Sequence, residues 1–354
     1  MTLKELGYND KLEQFRNDNG LNSFELGRVI LEHKERYIIK TPIKEYDAEL
    51  MGNLRFTAES RYDFPAVGDW VAFMEYDDGK GIIHAVYPRE SIIERKAVGK
   101  TGQVQIIATN IDYGLIVQAV DRDFNLNRME RYLTICHSSK VSPIIILNKV
   151  DLIEESELLI ISNQIKERNI NVPIIYVSSK SIGYKQLDDF IESGKTYCLL
   201  GSSGVGKSTI LNGLSGKEEM KTREISDAVN KGRHTTSHRE LIVLDNGGIL
   251  IDNPGMREVG ITDSSGGLEM TFESILDYAA HCRFKDCTHI HESGCAILKA
   301  VENEEIDEEA HHNFQKKEKE KLHFESDTQE RRKKDKDFGK MIKNVKKHRK
   351  NNKY

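Results

Sequence analysis

The segment from Gly201 to Ser208 reads Gly-Ser-Ser-Gly-Val-Gly-Lys-Ser and matches the phosphate-loop pattern G-x-x-x-x-G-K-[ST]. It follows the apolar run 197–200 and precedes a helix-compatible segment, 209–214, as the pattern requires. Glycines let backbone N–H groups close around phosphates, the lysine supplies a cation to the β- and γ-phosphates, and the last serine ligates Mg²⁺. Predicted nucleotide contacts, with Lys207 also catalytic and Ser208 also a magnesium ligand, are Gly201, Ser202, Ser203, Gly204, Val205, Gly206, Lys207, Ser208 and Thr209.

A second phosphate-side motif, Asp-Asn-Pro-Gly at 252–255, follows the apolar run 248–251. A carboxylate at the end of such a strand lies beside the phosphate loop, so we expect Asp252 to hold the Mg²⁺ shell, through water. Gly255 would then offer its backbone N–H to the γ-phosphate. The pattern is weak in isolation and gains weight from the neighbouring motifs.

The polar segment 227–238 lies between these two motifs and contains Gly-Arg-His-Thr-Thr. We interpret it as a switch whose Thr235 or Thr236 closes on Mg²⁺ in the GTP state. A plain surface loop is the alternative interpretation.

Hydrolysis also needs a group that orients the attacking water. Many GTP hydrolases carry a glutamine directly after Asp-x-x-Gly, where this chain has Met256. We hypothesise that His234 is catalytic and orients the water, because its side chain has suitable chemistry near neutral pH. The alternative is that His234 only structures the switch.

Two further motifs are typical of a guanine-reading site. Asn-Lys-Val-Asp at 148–151 follows the apolar run 143–147, and Ser-Ser-Lys at 178–180 ends the next such run. A carboxylate there accepts the N1 and N2 hydrogens of guanine, a pairing that adenine does not offer, so the site should reject ATP. The predicted base contacts are Asn148, Lys149, Asp151, Ser178, Ser179 and Lys180.

Four potential metal ligands lie close together in the pattern C-x4-C-x-H-x5-C: Cys282, Cys287, His289 and Cys295. A Cys₃His set closes tetrahedrally on Zn²⁺ and leaves no open position for a catalytic water, which predicts one structural zinc ion. His281 and His291 are alternative ligands, and free cysteines without metal are the other interpretation. Cys136 and Cys198 lie within apolar patterns and are interpreted as core residues.

Composition and length exclude several classes of protein. The 354 residues are too many for one typical core, so two or three domains are expected. A net charge of −5 and a pI near 6.2 argue against a uniformly basic nucleic-acid binder. The N-terminus has no secretory pattern, and no apolar run approaches the ~18 residues of a membrane span. We therefore expect a cytoplasmic protein, and its five cysteines fit a reduced compartment.

The elements that must position these motifs begin with five short β-type runs separated by turn residues: 27–31, 37–40, 48–54, 68–74 and 81–86. They suit a closed five-stranded oligonucleotide-binding (OB) barrel, with an SH3-like barrel or an irregular sheet as alternatives. Four aromatic residues of this region could stack on unpaired bases: Trp70, Phe73, Tyr76 and Tyr87. For Trp70 and Phe73 we favour a place in the core.

Beyond a polar linker at 97–105, strand-like runs alternate with helical patterns, which indicates a parallel sheet with helices on both faces. The strand-like runs are 113–119, 143–147, 173–177, 197–200, 241–244 and 248–251, and the helical patterns include 128–138 and 155–168. After residue 262 the sequence contains the cysteine cluster, an acidic run at 302–309 and a basic tail, which predict a mostly helical third region. The acidic run is interpreted as a solvated helix face, with shielding of the basic tail within the chain as the alternative. The predicted domains are 1–104, 105–262 and 263–354.

The nucleotide motifs occur in rotated order, with the base-reading motifs first and the phosphate loop third, whereas an ordinary GTPase begins with the phosphate loop. Together with the Gly-Arg-His-Thr-Thr segment and the cysteine cluster, this order resembles the circularly permuted small ribosomal subunit biogenesis GTPases of bacteria, the RsgA type. The resemblance covers all three regions. It implies a multidomain chain with an OB-like β-barrel, a central α/β P-loop GTPase domain and a mostly helical zinc-binding domain.

The resemblance also implies action in late assembly of the 30S subunit, with binding to 16S rRNA and GTP hydrolysis that the subunit stimulates. The expected cofactors are GTP or GDP, Mg²⁺ and one Zn²⁺, and we expect a monomer with no DNA or membrane partner. Asn253 stands where the family usually has Thr, and Ser179 where it often has Ala, but neither change removes a necessary side chain. Gly204 occupies a position where K⁺-dependent GTPases carry Asn, which argues against K⁺ activation through that residue.

The tail 331–354 contains twelve Lys or Arg against two Asp. It suits rRNA phosphates, with binding that weakens steeply in salt, although a solvated disordered tail is the alternative. A different class of function also stays open: a GTP-gated RNA-binding module or RNA chaperone in which hydrolysis is incidental. A permuted GTPase for tRNA modification or membrane traffic lacks support, because there is neither a second catalytic motif nor a membrane element.

Overall fold

The computed structural model describes residues 1–33, 36–96, 104–121, 124–216, 240–252 and 266–322. These residues form a β-barrel, an α/β sheet and a helical C-terminal region. Within the described part of the chain, no helix is long and apolar enough to span a membrane.

A closed five-stranded barrel follows the first helix. Its elements are α1 (Asp10–Asp18), β1 (Glu25–His33), β2 (Arg36–Lys40), β3 (Glu45–Leu50), α2 (Gly52–Thr57), β4 (Trp70–Asp77) and β5 (Lys80–Val86). The strands pair in the order β1-β2-β3-β5-β4, and β4 pairs back onto β1 to close the barrel. This closure confirms the predicted OB-like barrel. The run 48–54 was predicted wrongly in its second half, because β3 ends at Leu50 and α2 begins at Gly52.

The interior of the barrel is filled by alternate strand residues, among them Tyr37, Ile39 and Phe73. Trp70 is also buried, in a separate cluster with Leu6 and Leu12, so both aromatic residues favoured as core are core residues. Tyr87 is only 2% exposed and packs against Phe15, so its predicted stacking on bases is wrong. Tyr76 remains exposed.

A separate two-stranded hairpin lies between the barrel and the α/β sheet. It consists of β6 (Ile92–Lys96) and β7 (Val104–Thr109), paired antiparallel. The predicted linker 97–105 therefore ends inside a strand, because Val104 and Gln105 already pair with β6. Residues 97–103 lie outside the described residues.

The α/β region alternates strands and helices as predicted. Its elements are β8 (Tyr113–Ala119), α3 (Leu126–Ser138), β9 (Ser142–Asn148), α4 (Glu155–Glu167), β10 (Ile174–Val177), α5 (Lys185–Phe190), β11 (Thr196–Leu200), α6 (Lys207–Ser215), β12 (Glu240–Val243) and β13 (Ile249–Asp252). The strand order is β10-β9-β8-β11-β13-β12, and only the pairing of β12 with β13 is antiparallel. The chain's eleventh strand is thus inserted between β8 and β13.

Helices cover both faces of this sheet, because adjacent residues of a strand point to opposite sides. Ile116 of β8 belongs to a buried cluster with Met129 of α3, whereas the neighbouring Leu115 belongs to a cluster with Leu187 of α5 and Ile210 of α6. Cys136 and Cys198 are fully buried in the first cluster, which confirms their interpretation as core residues.

The C-terminal region is helical, as predicted. It contains α7 (Gly267–Thr271), α8 (Glu273–Ala279), α9 (Ala296–Glu302) and a helix over 308–322, here α10. Phe272, Ile297 and Phe314 form its core. The region packs against α3 so closely that a Cβ on Gly267 would lie 2.1 Å from Ser138 Oγ.

Ion pairs reinforce this packing. Arg168, buried at the end of α4, contacts Glu130 of α3 at 3.0 Å, Glu309 of α10 at 2.9 Å and Asp307 at 3.2 Å. Asn313 donates to the same Glu130 carboxylate. Asp307 and Glu309 belong to the acidic run 302–309 and stay 48% and 75% exposed, as a solvated face requires, and the same two side chains also join the C-terminal region to the α/β sheet.

The barrel and the α/β sheet are joined as well. β12 pairs antiparallel with β1 at Leu31 and Glu240, so eleven strands form one continuous order. Arg28, only 1% exposed, donates to Leu6 O at 2.8 Å, Gly68 O at 3.1 Å, Asn110 O at 3.0 Å and Thr196 Oγ1 at 2.9 Å. One buried guanidinium thus connects the N-terminal segment, the barrel, the turn before β8 and the start of β11.

Candidate nucleotide site and metal cluster

The phosphate-loop motif forms the connection from β11 to α6. Gly201, Gly204 and Gly206 have φ values of +148°, +86° and +100°, a region that favours glycine. A Cβ on Gly201 would lie 2.5 Å from Val117 O, so this backbone also needs glycine for space. Because α6 begins directly after the loop, its first N–H groups and its dipole point at the loop, as anion binding requires.

The Lys207 side chain folds back onto the phosphate loop. Its Nζ donates to Gly201 O at 2.8 Å and to Ser202 O at 2.6 Å, so the cation lies across the loop. Ser203 and Gly204 form the exposed tip. Ser208, in the first turn of α6, is half-buried.

The first base-reading motif lies at the end of β9 and contacts the phosphate loop directly. Asn148 is buried and donates from Nδ2 to Val205 O at 2.8 Å. Lys149 adopts φ +65°, and its Nζ pairs with Asp121 at 2.9 Å. The base-reading loop and the phosphate loop are therefore held together by Asn148.

A serine of the second base-reading motif forms a hydrogen bond with the carboxylate of the first motif. Buried Ser178 donates from its hydroxyl to Asp151, and the same Oγ accepts from Lys180 N at 3.1 Å. Asp151 itself is exposed. Ser178 thus orients the carboxylate that is predicted to recognise guanine.

The phosphate-side carboxylate Asp252 ends β13 and is 6% exposed. β13 lies next to β11, with Ile251 opposite Cys198, so Asp252 is at the same edge of the sheet as the phosphate loop. Several predicted site residues lie outside the described residues: His234, Thr235, Thr236 and Gly255.

The described motifs meet because the carboxyl ends of parallel strands share one edge of the sheet. Asn148 ends β9, Ser178 follows β10, Gly201 follows β11 and Asp252 ends β13. Their rotated order along the chain therefore does not separate them in space. Their contacts with nucleotide stay predictions.

Two polar residues near this edge were missed by the motif search. Asp121 follows β8 and pairs with Lys149. Arg128, in the first turn of α3, donates from Nη1 to Ser202 Oγ at 2.8 Å. The position of Asp121 directly after an apolar strand-like run was a usable sign, whereas the contact between Arg128 and Ser202 spans 74 residues and has no local pattern.

The predicted metal ligands converge at the start of α9. Donor atoms of Cys282, Cys287, His289 and Cys295 all lie within 4.8 Å of one another. His289 Nδ1 lies 3.6 Å from Cys282 Sγ and 3.5 Å from Cys295 Sγ. This set of three sulfurs and one imidazole nitrogen can hold one metal ion and suits tetrahedral coordination.

Backbone donors around the cluster favour thiolates. Cys282 Sγ accepts from Ala296 N at 3.4 Å, and Cys295 Sγ caps α9 by accepting from Leu298 N at 3.4 Å. Burial raises the pKa of the Cys282 thiol, but the backbone N–H groups of Ala296 and Ile297 together with hydrogen bonds from Cys295 and Cys287 lower it, and the net pKa lies below its usual value. Since metal binding requires the deprotonated thiol, these donors suit a metal centre.

Comparisons with known proteins agree with this architecture. A family model described as RsgA GTPase matches residues 86–262, and one described as 50S ribosome-binding GTPase matches residues 196–348. The chain is 38% identical to "Small ribosomal subunit biogenesis GTPase RsgA 1" of Bacteroides thetaiotaomicron, over 98% of this chain and 97% of that protein. It is also 39% identical to "Small ribosomal subunit biogenesis GTPase RsgA" of Methanosarcina acetivorans, over 97% of this chain and 92% of that protein.

Solved structures agree as well. YjeQ from Thermotoga maritima is 26% identical and superposes with a TM-score of 0.64 over 84% of this chain and 98% of that chain. YloQ, titled a circularly permuted GTPase, superposes with a TM-score of 0.61 over 84% of this chain and 95% of that chain. At 23% identity this match shows a shared fold. Near full-length identity and the rotated order of motifs around one sheet edge lead to the same conclusion: the chain belongs to the RsgA family of circularly permuted GTPases, and it is a GTP hydrolase that binds GTP or GDP with Mg²⁺.

Proposed function

We propose that this GTPase acts in late assembly of the 30S ribosomal subunit, as a cytoplasmic monomer that binds the subunit through 16S rRNA and hydrolyses GTP faster when bound. The observation that carries the proposal is the match to relatives named small ribosomal subunit biogenesis GTPases over nearly the whole chain. Because it includes the barrel and the C-terminal region, the match supports a shared task for all three regions and not only a shared hydrolase domain.

In the proposed site, Asp151 accepts the guanine N1 and N2 hydrogens while Ser178 holds the carboxylate in place. Lys149, Ser179 and Lys180 complete the base contacts. A base held here lies at a fixed distance from the phosphates, because Asn148 joins the two loops.

On the phosphate side, the loop N–H groups and Lys207 bind the β- and γ-phosphates, which requires Nζ to leave the carbonyls of Gly201 and Ser202. Bound Mg²⁺ would supply charge neutralisation there, with Ser208 as a direct ligand and Asp252 holding the Mg²⁺ shell through water. Gly255 donates its backbone N–H to the γ-phosphate.

The catalytic residues proposed for the switch are His234, Thr235 and Thr236. Met256 offers no group that orients water, so His234 takes that role. These residues lie outside the described residues, and their roles rest on the sequence.

The cysteine cluster is proposed to hold one structural Zn²⁺, with His289 as the nitrogen ligand. Two regions are proposed to contact 16S rRNA: the barrel, where Tyr76 is exposed, and the basic tail 331–354. The tail contacts should weaken with salt, since each neutralised phosphate releases counterions.

GTP turnover with and without purified 30S subunits tests the proposal. We expect stimulation of about tenfold or more, because a partner that completes a preorganised site stabilises the transition state. Purified 50S subunits are the control, since the second family model is described by that particle. The chain should also associate with 30S in the presence of a non-hydrolysable GTP analogue and dissociate with GDP.

Two variants sharpen the assay. His234→Ala should lower stimulated turnover by about 100-fold while GTP affinity is kept, whereas His238→Ala in the same segment is the matched control. Absence of stimulation by 30S, with analogue-dependent RNA binding retained, would favour the alternative, a GTP-gated RNA-binding module or chaperone. Full turnover of His234→Ala would remove the catalytic role of that histidine alone.

A further inference from the structure

A cleft of about 300 Å³ lies between the start of α3 and the middle of α10. Its lining, named here the basic cleft, contains no carboxylate and consists of Asn127, Arg128, Arg131, His312, Asn313, Lys316 and Lys317. Four basic side chains, two arginines and two lysines, therefore line one small volume. A larger cleft between α3 and α8 has a mixed lining that includes Glu130, Asp277 and Asp307, so it shows no such bias.

The deepest cation of the basic cleft is Lys317, which is only 3% exposed. Among the described residues its nearest carboxylate is Glu320, and the N···O distance of 3.7 Å is too long for a hydrogen bond. A buried ammonium normally has closer partners, because leaving its three donors unmade is costly.

Glu320 is already occupied by a stronger partner. Arg131 binds it with both terminal nitrogens, at 3.3 Å and 3.0 Å. The carboxylate thus pairs closely with Arg131 and only at 3.7 Å with Lys317, which leaves the cleft side of the Lys317 ammonium open to an anion.

The electrostatics of Lys317 support this description. The pKa of Lys317 is lowered to about 8: burial is the largest cause, and the cations Arg131 and Lys316 also lower it, whereas Glu320 and Glu130 raise it. An anion inside the cleft would oppose both burial and repulsion and keep the ammonium charged.

We propose that the basic cleft binds a phosphate group, supplied either as a free phosphate ion or by the backbone of an RNA strand. Lys317 contacts it from the floor and Lys316 and Arg128 contact it from the rim, whereas Arg131 stays paired with Glu320. Ammonium and guanidinium groups that face one volume suit a tetrahedral oxyanion, which accepts several charge-assisted hydrogen bonds at once.

Because of the position of the cleft, phosphate binding there would affect the phosphate loop through Arg128. Arg128 lines the cleft and also donates to Ser202 of the phosphate loop. A phosphate in the cleft would therefore compete with Ser202 for the same guanidinium. The inference does not rest on the role in subunit assembly, since phosphate binding would persist if 30S gave no stimulation.

The test uses the full chain with a non-hydrolysable GTP analogue and Mg²⁺ bound, so that the phosphate loop is filled. Inorganic phosphate is then titrated by calorimetry. Lys317→Met should weaken binding by about tenfold or more, because it removes a charge-assisted hydrogen bond. Lys319→Met is the matched control: Lys319 is exposed on the same helix outside the cleft, and its loss should change binding by less than about twofold.

Equal affinity in Lys317→Met and the unaltered chain, or no saturable binding by the unaltered chain, overturns the proposal. A second measurement needs no variant, in case Lys317→Met folds poorly: crystals soaked in tungstate should show an anomalous peak in the basic cleft beside Lys317. An empty cleft in those crystals counts against the proposal. Displacement of phosphate by single-stranded RNA assigns the ligand to RNA, and retention assigns it to the free ion.

Discussion

The four ligands of the cysteine cluster converge because the backbone turns sharply at His289. This residue has φ +58°, and its carbonyl oxygen accepts from Gln315 Nε2 at 2.7 Å while His311 Nε2 lies 3.0 Å away. The turn directs Nδ1 at the sulfurs. The left-handed backbone therefore decides which histidine joins the cluster.

Cys287→Ser should reduce bound zinc from about one ion per chain to a small fraction, because serine does not supply a thiolate. Metal analysis after purification checks the loss, and thermal unfolding should show a lower midpoint for the C-terminal region, since metal binding stabilises folding. His291→Ala is the control and should keep its zinc. Unchanged zinc in Cys287→Ser would contradict the assignment of this cluster.

At this scale the sequence predicted residue types better than contacts. Spacing indicated the four metal donors, but it left His281, His289 and His291 as alternatives, because spacing does not report backbone φ. The hydrogen bond from Ser178 to Asp151 was also not predicted, because the two residues come together only when β9 and β10 pair.

Among the elements, α6 has a glycine with positive φ at each end, and the two glycines have different surroundings. Gly206 caps its start at φ +100°, and a Cβ there would lie 2.2 Å from Asn148 Nδ2. Gly216 caps its end at φ +66°, with nothing within 4 Å of a Cβ. The start of the helix is constrained by the base-reading loop, whereas the end is constrained by φ alone.

Gly206→Ala should therefore weaken GTP binding by well over tenfold, because it combines a strained φ with displacement of the Asn148 bond to Val205. Gly216→Ala should lower stability by about 1 kcal/mol and leave nucleotide affinity near its original value. Fluorescent-nucleotide titration and urea unfolding of both variants measure the two effects. Similar GTP affinities for both variants would show that the close approach to Asn148 is unimportant.

The strands and long helices of the α/β sheet were predictable because buried parallel strands give continuous apolar runs. Several elements elsewhere were not, among them α1, α2 and the hairpin of β6 and β7. The sequence did not predict α2, because its first residues continue a β-type pattern and Gly52 alone does not indicate the start of a helix. The hairpin of β6 and β7 was hidden because its connection is polar and rich in turn residues.

For the whole molecule, Arg28 is the residue on which several regions depend. Burial lowers the pKa of this guanidinium to about 10, and nearby Asp112 and Asp69 oppose that change. Its neutral acceptors come from segments far apart in sequence, including Thr196, 168 residues away. A lone arginine within the apolar strand β1 gives no sequence sign of these partners, so the joint between barrel and sheet could not be predicted.

Arg28→Met should lower the free energy of unfolding by about 3 kcal/mol or more, because it leaves several buried acceptors without a donor. Arg36→Met is the matched control on β2: its arginine is exposed and pairs with Asp47, so the loss should stay below about 1 kcal/mol. Urea unfolding followed by circular dichroism compares the two. Equal stability of both variants would contradict the structural role of Arg28.

The insertion of β11 between β8 and β13 has a consequence for synthesis on the ribosome. Strands β8, β9 and β10 are neighbours both in the chain and in the sheet, so they can pair as soon as they emerge. The base-reading loops thus precede the phosphate loop in time as well as in sequence. A nascent chain of this order has a place for the guanine ring before it has one for the phosphates, and GTP can assist its folding only after β11 has taken its central position.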